Sequence, residues 1–93
     1  MIDNLIKAGD ALQSEAKDDT VGKFFDSVNF EAWVSKVILY LENYYVDTAI
    51  TEKAIDRYKS LNSNNNYAYY QFLLGSLIAI KEFENEEDDF DDF

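Results

Sequence analysis

Ninety-three residues allow one small domain with a single core, and a 47% hydrophobic content that includes one Trp, seven Tyr and seven Phe can fill that core unaided. The chain has no Cys and no His, which removes disulfide staples, zinc–thiolate sites, cysteine nucleophiles and the usual general base near neutral pH together. A formal net charge of −11 opposes approach to DNA, RNA or an anionic membrane, because phosphates repel such a surface.

The first residues, Met-Ile-Asp-Asn-Leu-Ile-Lys, are neither a basic leader nor the start of a long apolar run. The cytoplasm is therefore the expected compartment. From Asp3 to about Lys17, Leu5, Ile6, Ala8, Leu12 and Ala16 recur at helical spacing, with Asp3 as a candidate N-cap and Gly9 as a mild weakness. Asp18-Asp19-Thr20 breaks the pattern. Val21, Phe24, Phe25 and Val28 then suggest a short helix or 3-10 segment.

The clearest helix begins near Asn29 and ends near Tyr45. Phe30, Trp33, Val34, Val37, Ile38 and Leu41 form a one-sided stripe of about four turns, which a strand's two-residue alternation would not give. Asp47, Thr48 and Thr51 are N-cap candidates for a third helix that carries Ile50, Ala54, Ile55, Tyr58 and Leu61. The run Asn62-Ser63-Asn64-Asn65-Asn66 reads as a turn. From Tyr67 to Phe83 the pattern is apolar on most sides, as in a central helix, and Gly75 and Ala79 would admit a close neighbour. The longest apolar stretch, Phe72 to Ile80, is far below membrane-spanning length. The expected fold is all-α, a small four- to five-helix bundle over residues 1–81, with an acidic tail over 82–93.

The tail, EFENEEDDFDDF, holds eight of the nineteen acids and no base, whereas residues 1–81 hold eleven acids against eight bases. The net charge thus belongs mostly to one segment. A local anionic segment with spaced aromatics suits a basic protein groove, whereas diffuse acidity mainly keeps a protein soluble. The candidate partner-binding residues are therefore Glu82, Glu84, Glu86, Glu87, Asp88, Asp89, Phe90, Asp91, Asp92 and Phe93. Five tyrosines join them: Tyr44, Tyr45, Tyr67, Tyr69 and Tyr70. Neighbours on a helix point about 100° apart, so one narrow face cannot bury every member of these groups.

The aspartates lack the ligand spacing, central Gly and closing Glu of a calcium loop. No Gly-rich loop or nucleophile elbow accompanies the carboxylates. No metal, no cofactor and no catalytic residue is expected, and an enzymatic role is not.

The closing Asp-Asp-Phe-Asp-Asp-Phe resembles the acidic tip of bacterial single-stranded-DNA-binding proteins, though without the Pro that precedes their final Phe. By size, charge and helical simplicity the chain also resembles small phage-encoded inhibitors of host defence, of the anti-CRISPR or anti-restriction type. That resemblance rests on composition and assigns no residue. It implies a cytoplasmic inhibitor that sets carboxylates where a target expects phosphates. The expected partner is a larger protein with a basic surface, such as a nucleic-acid-binding enzyme, with no direct nucleic-acid or membrane contact; homo-oligomers stay open. An immunity protein or antitoxin that neutralises a basic toxin, or an adaptor or structural subunit, would have the same composition.

Overall fold

The first helix stops earlier than its sequence pattern suggests, and the chain beyond it folds back as a hairpin. The computed structural model describes residues 1–91, with side chains described to residue 85. Helix α1 (Ile2–Leu12) buries Leu5, Gly9 and Leu12 along one side. Its N-cap is Met1, with no side-chain bond, whereas Asp3 lies inside the first turn and pairs with Lys81. A single 3-10 turn, Gln13–Glu15, ends the run.

Strands β1 (Lys17–Asp18) and β2 (Lys23–Phe24) then form a small antiparallel hairpin, in place of the expected helical segment between Val21 and Val28. Local hydrogen bonding explains the difference. The Asp19 carboxylate accepts from the amides of Val21 and Gly22 at 2.8 and 3.0 Å, which folds the turn on itself. Gly22 takes φ 139°, a backbone that L side chains rarely adopt. Val21 is left exposed, and only Phe25 reaches the core.

Asn66 fastens the strand that leaves the hairpin. Its side-chain oxygen accepts the Phe25 amide at 2.9 Å, and its side-chain nitrogen donates to the Phe25 carbonyl at 2.8 Å. A buried side chain thereby satisfies the backbone group that a third strand would have paired.

Helix α2 (Val28–Tyr44) is capped by Ser27, whose hydroxyl accepts the Phe30 amide, rather than by Asn29. Its stripe of Phe30, Trp33, Val34, Val37, Tyr40 and Leu41 is buried as the spacing requires. Helix α3 (Ala49–Tyr58) is capped by Thr48. The Thr48 and Thr51 hydroxyls both donate to the Tyr45 carbonyl, at 2.8 and 2.7 Å, and satisfy the end of α2. Asp47 supplies the left-handed residue of this corner, φ 66°.

Helix α4 (Asn66–Asp91) packs on α1, α2, α3 and the hairpin, and so sits at the centre of the bundle. It begins beside Phe25 and passes Asp3 and Tyr45 near residues 81–84, so it runs antiparallel to α1 and alongside α2. At about 1.5 Å per residue its 26 residues span about 39 Å, which accounts for a molecule of 53 by 26 by 20 Å.

The core is mostly aromatic. Phe25 and Phe30 stack at 4.5 Å, and Tyr70 tilts against both Phe25 and Trp33. Trp33 donates from Nε1 to the Leu5 carbonyl at 2.8 Å, which ties α2 to α1. The close helix approach occurs at Gly9, not at Gly75. A Cβ on Gly9 would lie 2.7 Å from the Trp33 ring, while nothing stands within 4 Å of Gly75.

Candidate functional site

Two helix ends, the start of α1 and the end of α2, meet residues 81–84 of α4 where the acidic segment leaves the bundle. Two polar contacts hold α4 there. The Tyr45 hydroxyl donates to the Glu84 carboxylate, and Lys81 pairs with Asp3. Burial raises the Tyr45 hydroxyl's pKa, and the bond to Glu84 raises it further, so this proton stays on Tyr45 through the physiological range. Burial and the Glu84 charge act on Tyr40 in the same direction. The hydrogen bond from Lys81 lowers the pKa of Asp3.

Tyr40 contacts Tyr44 and Tyr45 with ring centroids 5.2 and 6.0 Å apart, forming an aromatic knot at the base of the acidic segment. Tyr44 is 59% exposed and Tyr45 half-buried. Of this adjacent pair, one ring thus anchors the helix and the other is offered to solvent.

The second tyrosine group is placed differently from the sequence expectation. Tyr69 and Tyr70 are 1% and 2% exposed and belong to the core, which corrects their assignment as surface residues. Both can be buried because α4 is packed on several sides. The Tyr69 hydroxyl donates to the Ala54 carbonyl of α3, and the Tyr70 hydroxyl donates to the Gly9 carbonyl of α1, each at 2.7 Å. Burial pushes the Tyr69 pKa up to about 12, and burial also raises that of Tyr70. Tyr67 is half-buried at the far end, its hydroxyl accepting from Gln13. The structure therefore brings Tyr44, Tyr45 and Glu84 to one end of the bundle and sets Tyr67, Tyr69 and Tyr70 apart from them, while Glu82 is exposed on α4.

The remaining candidates fall at the end of the chain. The α4 backbone runs to Asp91, while the side chains of Glu86, Glu87, Asp88, Asp89, Phe90 and Asp91, and all of Asp92 and Phe93, lie outside the described residues.

A feature absent from the sequence expectations adjoins this end. Between α1 and α2 runs an open groove of about 640 Å³. Leu5, Leu12 and Trp33 form its floor, and Ala8, Ala11, Ala32 and Leu39 its walls. One end lies at Glu15 and Asn29, which are hydrogen-bonded to each other; the other opens at Met1 and Tyr44. Leu39 is 66% exposed and Met1 73%. The signal was present in the sequence as Asn4, Ala8 and Ala11, an uncharged stripe on an otherwise charged helix surface.

Among the described residues no three His, Cys, Asp or Glu side chains are grouped to hold a metal ion, and no helix is long and apolar enough to cross a membrane. No protein-family model, curated protein or solved structure matches this chain.

Proposed function

We propose that this protein is a small binding inhibitor or regulator, and that its acidic C-terminal helix occupies the basic, nucleic-acid-binding surface of a larger enzyme. The observation that carries this reading is the continuation of α4 as one helix to Asp91 through the acidic segment. Residues 82–91 contain seven acids and no base. At the helical rise they occupy about 15 Å of axis, roughly one negative charge per 2 Å, close to the ~1.7 Å per charge of duplex DNA.

Electrostatics within the helix point the same way. The C-terminal end of a helix already carries about half a negative charge, and like charges four residues apart repel. Both costs fall when a cationic surface lies alongside. Nearly balanced charge in residues 1–81 makes this a mimic along one segment rather than over the whole surface.

The test begins with affinity capture of the intact chain from its native host and identification of what it retains. The captured protein should bind nucleic acid, and this chain should displace that nucleic acid competitively. Alone, the chain should shift neither DNA nor RNA in low-salt gels. A captured protein whose nucleic-acid binding is unchanged at saturating inhibitor would overturn the proposal.

A further inference from the structure

We infer that the α1/α2 groove is a docking site for an amphipathic helix of the partner, apolar along one face and rich in Lys or Arg at the end that lies beside Met1 and Tyr44. This rests on the reading of the acidic helix as a partner-binding element and adds a second, apolar contact to it.

Shape and composition argue for a helix. The two walls come from antiparallel helices, and the residues at mid-groove, Ala8, Ala11 and Ala32, are small enough for a third helix to approach closely. From Asn4 to Glu15 the groove follows α1 for about 17 Å, or three turns of an occupant. A helix in such a groove is read through anchors at i, i+3, i+4 and i+7. In a chain with nineteen acids, the groove lining includes one acid, Glu15, and one base, Lys36. Apart from Lys36 on the α2 wall, the middle of the groove is uncharged, and a largely apolar centre with polar residues at the margins is the composition of an interface core. Exposed Tyr44 and Leu39 stand at one end as large anchors.

Charge selects the occupant. The groove opens at Met1 and Tyr44, the same end at which Tyr45 holds Glu84 and α4 carries its acids onward. A helix leaving the groove there enters a strongly negative field, so its protruding end is favoured when basic. A second copy of this chain is disfavoured for the same reason, since each copy carries −11.

The probe is a synthetic, fluorophore-labelled amphipathic helix of about 16 residues with leucines at i, i+3, i+4 and i+7 and four lysines at one end, compared with a twin bearing glutamates. Anisotropy should show that the intact chain binds the lysine peptide and not its twin. Ala11→Arg and Ala32→Arg place an unpaired charge in the groove from either wall and should each weaken binding about tenfold or more. Gln71→Arg, on the exposed surface of α4, should leave it unchanged. Circular dichroism of each variant verifies the fold.

Failure of the lysine peptide to bind at about 0.1 mM would overturn the inference. So would binding that is indifferent to both wall arginines, or self-association in sedimentation that Ala11→Arg abolishes, which would give the groove to a second copy. The captured partner separates the two readings. If deleting residues 82–93 abolishes its binding and Ala11→Arg does not alter it, the groove inference fails and the acidic-helix reading stands. The reverse pattern removes the acidic-helix reading and leaves the groove as the binding surface.

Discussion

Gly9→Ala and Gly75→Ala make the same change in two helices and should have opposite signs. By helix propensity alone each would stabilise the protein by up to about 1 kcal/mol. At Gly75 nothing lies within 4 Å, so that gain should be realised. At Gly9 the new methyl would sit 2.7 Å from Trp33 Cζ2, 3.1 Å from Trp33 Cε2 and 2.9 Å from Leu74 Cδ1, whereas carbon atoms rest about 3.5–4.0 Å apart. The Leu74 methyl group can rotate away. The indole cannot move freely, because its Nε1 donates to Leu5 and its ring meets Tyr70, whose hydroxyl is bonded to the Gly9 carbonyl itself. Overpacking of this kind costs about 1–3 kcal/mol, and after the propensity gain a net loss of up to about 2 kcal/mol remains. For a domain of this size, at about 4–8 °C per kcal/mol, that lowers Tm by up to about 16 °C, while Gly75→Ala should raise it by up to about 8 °C. Thermal melts followed by far-ultraviolet circular dichroism read both directly. A Gly9→Ala protein more stable than the parent would refute the packing of α1 on Trp33.

Three further outcomes rest on the core. Trp33→Ala should cost about 3–5 kcal/mol, enough to unfold a domain this small, and Trp33 emission in the parent should be that of an indole shielded from water. Asn66→Ala strands the buried Phe25 amide and carbonyl and should cost about 2–4 kcal/mol in urea melts, more than the exposed Asn64→Ala. Tyr40, Tyr45, Tyr69 and Tyr70 all have folded-state pKa values raised above the ordinary value near 10, Tyr69 to about 12. Their contribution to stability is therefore complete below about pH 10 and is lost as pH rises above it, that of Tyr69 as pH passes about 12, so phenolate absorbance and helix loss should advance together.

The α2 stripe, the Thr48 cap and the asparagine turn were legible in the sequence, because periodicity and capping chemistry are local signals. The hairpin was not. Two-residue strands are too short to alternate, and the clasp that stabilises them, Asn66 on Phe25, comes from 41 residues away. Ser27 rather than Asn29 caps α2: its hydroxyl accepts the Phe30 amide, while the Asn29 side chain donates to Glu15, 14 residues earlier, a contact that no local pattern reveals. Gly9 and Gly75 are indistinguishable in a pattern of helical glycines; their difference lies entirely in which face meets Trp33. For the tyrosines, the 100° argument holds for a helix with one buried face, and α4 has more than one. That is why Tyr69 and Tyr70 point to different helices and are both buried. The groove was less legible because a stripe of alanine and asparagine carries no hydrophobic signal, and its lack of charge is its only mark in the sequence.

The central claim is that the acidic helix steers and holds a basic partner, and the rate of association as a function of salt tests it most directly. Stopped-flow or surface-based kinetics on the captured partner would compare the intact chain, a chain lacking residues 82–93, and one with Asp88, Asp89, Asp91 and Asp92 changed to Asn. The intact chain's association rate should fall steeply as ionic strength rises from low salt to about 0.15 M, where the Debye length contracts to about 8 Å. The truncated and Asn-substituted chains should associate more slowly at low salt and depend much less on it, while remaining helical through residue 81. Equal rates and equal salt dependence for all three proteins would contradict the account.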